Sequence, residues 1–230
     1  MSEGIRTSAP GSHPPLFYVR PSRKALALTF DVSWGESTLP QVLRILGETQ
    51  TRATFFLSGP WARRHPELVR AIAAQGHEIA SHGEEHVNLS QYSASEVREN
   101  LRRSREALEN LTGKPPLFFR PPNGDYDDLV VSLAREEGME TVIWSVDSLD
   151  WKNPGADYMV RRVLELAFPG AIVLFHASDS SRQIAQALEP VIRALRSRGY
   201  ELLPLGELYR LGSPGRDDPR GRPDYPPVPP

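Results

Sequence analysis

The chain has 230 residues, 39% of them hydrophobic and 24% charged, enough for one substantial core and within the range of single α/β barrels. A net charge of −2 at pH 7 gives no basic excess for nucleic acid or an anionic membrane. The absence of cysteine excludes disulfides and thiolate metal sites, and no run reaches the length of a membrane span.

Residues 1–15, MSEGIRTSAPGSHPP, are small, polar and proline-bearing and read as a flexible segment. They lack the basic-then-apolar pattern of a signal peptide, which fits a cytoplasmic chain or one whose export segment was removed. ALALTF (25–30) reads as a buried strand. Leu39, Val42, Leu43 and Leu46 then recur at helical spacing over 38–46. A strand is predicted over 53–57, a glycine-closed helix over 66–76 and a strand over 77–81. A long helix with a serine cap and a terminal glycine covers 93–113. Strands follow at 117–120, 141–146, 171–176 and 200–204, separated by helices over 127–138, 156–167 and 182–199.

Alternating strands and helices imply parallel strands covered by helices, as a closed barrel or a doubly wound sheet. The predicted domain is 16–211. The tail 212–230, rich in Pro, Gly and charge, reads as disordered and dispensable for folding. No internal repeat is visible.

Both architectures carry their chemistry at the carboxyl ends of the strands. There the sequence places Asp31, then His82 with His86 four residues on, Arg120, Asp147 and Asp150, and His176. Ionisable groups at five of seven strand ends are hard to explain as helix caps, so Asp31, His82, Arg120, Asp150 and His176 are expected to line one cleft. His13, His65 and His77 stand away from these positions and read as structural. His82 and His86 would share one face of a helical turn, a spacing that suits a metal, but a catalytic zinc usually takes three protein ligands.

TFDVSWG (29–35), SHGEEH (81–86), FRPPNG (119–124), WSVDSLDW (144–151) and IVLFH (172–176) resemble, in order, the five motifs of polysaccharide deacetylases of the NodB-homology type, carbohydrate esterase family 4. The resemblance covers about residues 24 to 210. The FDxSWG form is most similar to the sporulation-associated, PdaB-like branch. The resemblance implies a distorted (β/α) barrel of about seven parallel strands that removes N-acetyl groups from an aminosugar polymer such as peptidoglycan or chitin, assisted by a divalent metal. It implies a glycan as partner and a place in the cell envelope or outside the cell. Nothing suggests nucleic acid or a membrane span, and the chain is expected to be a monomer.

Carried over residue by residue, the resemblance makes Asp31 the base, Arg120 its partner, His176 the acid and Asp150 the group that orients it. The main-chain N–H of Asn123, after Pro122, is the oxyanion donor; the family often has tyrosine there. Trp34, Trp151 and Phe175 become apolar walls for the sugar or acetyl group, or belong to the core. His82 and His86 become metal ligands. The family's third ligand follows the base directly, and here that position is Val32. Asp31, Glu36 or Ser33 are the substitutes within reach in sequence, so zinc or cobalt is expected to bind weakly or not at all. Gly83 stands where the family has Ser or Thr, which should loosen that loop. Three functions stay open: a deacetylase with an altered metal shell, a catalytically impaired relative that binds glycan, and a different hydrolysis on the same barrel.

Overall fold

The computed structural model describes residues 13–222 and Tyr225; the expectation of a flexible start falls mainly on residues 1–12, outside the described residues. The chain forms β2 (Ala25–Val32), β3 (Thr54–Leu57), β4 (Glu78–Ser81), β5 (Phe118–Phe119), β6 (Glu140–Thr141), β7 (Val146–Asp147) and β8 (Ile172–His176), preceded by β1 (Tyr18–Pro21). Seven parallel strands in the order β6-β5-β4-β3-β2-β8-β7 make a curled half-barrel, and β9 (Glu201–Leu202) pairs with the start of β2.

The pleat of β2 divides its side chains between two cores. Leu26, Leu28, Phe30 and Val32 face the layer of helices, where they pack with residues such as Leu39 and Leu46 of α1 (Thr38–Glu48) and Leu188 and Ile192 of α7 (Ile184–Ser197). Ala25 and Ala27 face the barrel interior with Phe56 of β3, Ala80 of β4 and Ile172 and Leu174 of β8. Successive residues of a strand point to opposite faces, so Asp31 opens into the barrel while Val32 is wholly buried on the other side.

The strand predicted over 141–146 is broken. Its first part, β6, pairs with β5, and its last part, β7, pairs with β8 at the other edge of the sheet. The link between them crosses the gap: Val142 N–H donates to Phe119, Ile143 N–H to Leu16 and Ser145 N–H to Ile172. An unbroken apolar run reads as one strand, but here it satisfies backbone groups of both sheet edges in turn.

The tail predicted over 212–230 departs from expectation where it is described; residues 223–224 and 226–230 lie outside the described residues. Gly212–Gly215 forms β10, antiparallel to β1, and the Tyr18 hydroxyl donates to Asp217 at 2.6 Å. Arg216 bonds Glu140 and the Pro14 carbonyl. Residues 212–222 and Tyr225 are thus held on the barrel by backbone pairing and polar contacts, which composition does not register. The short helices α2 (Gly59–Arg64) and α8 (Leu205–Tyr209) are likewise absent from the hydrophobic periodicity.

Candidate active site

Asp31, one residue before the end of β2, stands in register with His176, the last residue of β8. On neighbouring parallel strands this puts both side chains on the inner face, side by side. Arg120, just after β5 and fully buried, donates from Nη1 to Asp31 Oδ1 at 2.8 Å. Its guanidinium lies over Phe56, 4.0 Å from the ring centroid, and its Nη2 donates to the Ile143 carbonyl at 3.3 Å. Burial alone would raise the Asp31 pKa, but the Arg120 guanidinium, aided by His82 and His176, outweighs it and holds the carboxyl below its ordinary value.

His176 is built in the opposite sense. Its Nδ1 sits 2.9 Å from Asp150 Oδ1, and its backbone N–H donates to Asp150 Oδ2 at 2.6 Å. Asp150 also accepts from Ser148 Oγ at 3.1 Å and Ser181 Oγ at 2.8 Å. Burial opposes the imidazolium, yet Asp150, with Asp31 and Asp147 behind it, raises the His176 pKa to about 9. At neutral pH the site therefore holds an ionised carboxylate beside a protonated imidazole. In the sequence the two serines carry no signal beyond proximity to Asp150 and His176.

His82 and His86 come together without a helix. His82 follows β4 in an irregular loop, with its Nδ1 2.8 Å from the Arg120 carbonyl and its Nε2 3.7 Å from Asp31 Oδ2. The His86 ring meets it edge to face at 5.3 Å, and Trp34 meets His86 in the same way at 5.3 Å. Burial lowers the His82 pKa to about 4, so the ring is neutral. Gly83 does not loosen this loop. It is left-handed, with φ +77°, and a Cβ would stand 2.8 Å from Asn100 Oδ1, the atom that accepts the Glu84 N–H. Buried Glu84 in turn pairs with Arg63 and Arg103.

The ligand set for a metal is incomplete. Val32 packs among the helices, Glu36 is exposed with a carboxylate oxygen 3.4 Å from His65 Nδ1, Asp31 is engaged by Arg120 with its other oxygen 3.7 Å from His82 Nε2, and no group of three His, Asp or Glu side chains placed to hold a metal ion exists among the described residues. The residues present do not fit the three-ligand zinc centre that the family resemblance implies.

Of the expected walls, Trp34 and Trp151 are 43% and 45% exposed. Phe175 is not one of them: it is wholly buried and stacks on Phe30 in the helix-side core, because the pleat of β8 turns it away from His176. Pro122 is buried in a short turn, and Asn123 takes the left-handed conformation (φ 58°, ψ 8°) while its amide donates to Asn88 Oδ1 at 2.7 Å. Asp179, unmarked in the sequence, accepts the backbone N–H groups of Glu36, Ser37 and Thr38 and so caps α1 from another loop.

Against known proteins, the family model "Polysaccharide deacetylase" matches residues 18–142. The chain is 35% identical to the Bacillus subtilis protein YlxY over 84% of its own length and 60% of that protein's. It is 36% identical to a peptidoglycan-N-acetylglucosamine deacetylase of Bacillus cereus, covering 82% of this chain and 90% of that one. A solved CE4-family pseudoenzyme of Bacillus anthracis superposes with a TM-score of 0.80 at 34% identity, over 84% of this chain and 68% of that one, and a mutant of it with restored enzymatic activity superposes equally well. The shared half-barrel and the motif residues at its strand ends agree with these matches: the chain belongs to the polysaccharide deacetylase family.

Proposed function

We propose that the chain hydrolyses N-acetyl groups on an aminosugar polymer, peptidoglycan or a chitin-like glycan, with Asp31 as general base and His176 as general acid. The carrying observation is the side-by-side placement of these two groups, each fixed by its own partner, with protonation preferences pushed apart in the directions a base and an acid require. Water attacks the acetyl carbonyl carbon as Asp31 accepts its proton. The Asn123 N–H is assigned to the developing oxyanion. The C–N bond breaks as His176 passes its proton to the sugar nitrogen, leaving acetate and the free amine. Trp34 and Trp151 are assigned as walls for the sugar. The substrate named for the Bacillus cereus relative supports the choice of glycan, and a peptidoglycan substrate would put the protein in the cell envelope.

A divalent ion such as zinc or cobalt would find His82 and His86 but, among the described residues, no third ligand free of another role, the nearest carboxylate being Asp31 held by Arg120, so weak binding is the expectation here. That same gap, with the likeness to a pseudoenzyme, favours a second reading in which the site binds glycan without turnover. Acetate release from chitin oligomers and from peptidoglycan separates the two. Asp31→Asn and His176→Ala should each lower turnover by roughly 100- to 10,000-fold. Unchanged rates in either variant reject the assignment. Oligomer binding without acetate release by the wild type selects the second reading.

A further inference from the structure

We propose that the C-terminal segment is a strap that positions the His176–Asp150 pair, with Tyr225 as the positioning residue and Arg220 as its anchor. Only the turnover part of this inference rests on the hydrolase reading. Asp150 is delivered by a turn that is strained: Leu149 has φ 60° and ψ 22°, a left-handed conformation unfavourable for a leucine. Such a turn persists only where its surroundings over-determine it. Within the turn, Asp147 Oδ1 accepts the Leu149 N–H at 2.8 Å and Ser148 Oγ donates to Asp150.

The outer clamp comes from elsewhere. β7 is an edge strand, so Asp147 has a neighbouring strand on one side only. The Tyr225 hydroxyl accepts the Asp147 N–H at 3.3 Å, and Arg162 Nε donates to the Asp147 carbonyl at 2.8 Å. The Arg162 guanidinium also lies over the Tyr225 ring at 5.8 Å. Both backbone groups of Asp147 are thereby held three residues before the carboxylate that orients His176.

Tyr225 is carried there along an anchored path. β10 pairs with β1, and Asp217 joins Tyr18 and Arg222. Arg220, ion-paired with Asp218, lies 4.9 Å from the Trp144 ring and 5.5 Å from Phe17. Trp144 is the residue against Gly124 of the Asn123 turn, and Arg120 lies 5.8 Å from its ring. The described residues of the strap therefore touch the supports of both catalytic pairs without contacting Asp31 or His176.

The test uses the full chain with Tyr225→Phe, which removes one oxygen, and Arg220→Ala, which frees the anchor. Three signals are read: amide hydrogen exchange of the 146–151 peptide, the proton resonance of the His176 ring N–H held by Asp150, and acetate release. Losing one hydrogen bond of ordinary strength should speed local exchange about fivefold. The ring resonance should broaden or shift, and turnover should fall severalfold with KM unchanged. A merely stabilising tail would leave the ring resonance and the balance of turnover against KM as in the wild type, and that result overturns the proposal. Unchanged exchange in both variants also overturns it. If the wild type releases no acetate, the hydrolase reading fails by itself, and the exchange and ring signals alone decide the strap.

Discussion

Two halves of the same cleft are built to different standards. On the Asp31–His176 side, each ionisable group has a partner fixed by geometry: Arg120 Nη1 for Asp31, and four donors around Asp150. On the His82–His86 side, two imidazoles meet edge to face, and the residue after the base faces the helices. The division falls between two adjacent residues of β2. A strand pleat sends neighbours to opposite faces, and the position after the base carries a valine packed among the helices rather than a carboxylate, so the first half is complete in proton transfer while the second lacks a ligand. Motif identity alone does not secure a site; each residue must also stand on the face that its chemistry requires.

Arg120→Met should break the complete half most severely. It leaves the Asp31 carboxylate buried without its cation, and removing one member of a buried pair typically costs about 3–5 kcal/mol. Denaturant unfolding measures this, and a loss under about 1 kcal/mol would show that the pair is solvated and the halves are not so different. Asp31→Asn with Arg120→Met together should cost less than the sum of the two.

Val32→Asp tests the incomplete half. From the sequence its cost is expected to be modest; the burial of Val32 among Leu28, Phe30 and Leu39 revises this upward, to about 3 kcal/mol or more for lost packing and a desolvated carboxylate. If the new carboxylate reaches His82 and His86, zinc should restore much of the melting temperature and titrate more tightly than in the wild type. Zinc binding that survives His82→Ala would place the metal elsewhere. Tight wild-type binding that requires His82 would make the valine a tolerated change and erase the contrast.

Three histidines should give the pH profile of stability opposite slopes. His176 is raised to about 9 in the folded chain, so its contribution is full below pH 6.5 and disappears as pH rises through 9. His77, lowered to about 4 by burial first and Arg52 second, and His82, lowered to about 4 by burial, favour folding above pH 6.5 and lose that contribution as pH falls toward 4. Each is worth at most about 3 kcal/mol. Melting temperatures from pH 4 to 10 should form a dome. His176→Gln should flatten its alkaline side, and an unaltered alkaline side would remove the claim that Asp150 holds an imidazolium.

Asp179→Ala is the mildest probe. It removes the acceptor of three N–H groups at the start of α1, the only side-chain acceptor there among the described residues, a loss of about 1–2 kcal/mol. Trp34 fluorescence should report a looser loop beside His86, while hydrogen exchange at Asp150 stays as in the wild type. Equal loosening of both regions would mean that the halves are mechanically one.

Much was legible because it is periodic or local. The strand at 25–30 and the helix with its serine cap at 93–113 carry their own signals, and Ser93 and Glu96 do form the reciprocal cap. The polar strand ends named the residues that gather around Asp31 and His176. Local sequence could not reveal that 141–146 serves two edges, that Phe175 turns outward, that Glu36 pairs with His65, or that a Pro-rich tail holds Asp147 through Tyr225. Each depends on which segment arrives from far along the chain. By itself the sequence determined the alternation of strands and helices and the identity of the ionisable groups at their ends, because hydrophobic period and chain order are written residue by residue. Only the tertiary structure decided which groups face each other, which carboxylates are paired and that Val32 faces away, because pleat, register and long-range hydrogen bonds are properties of contacts rather than of composition.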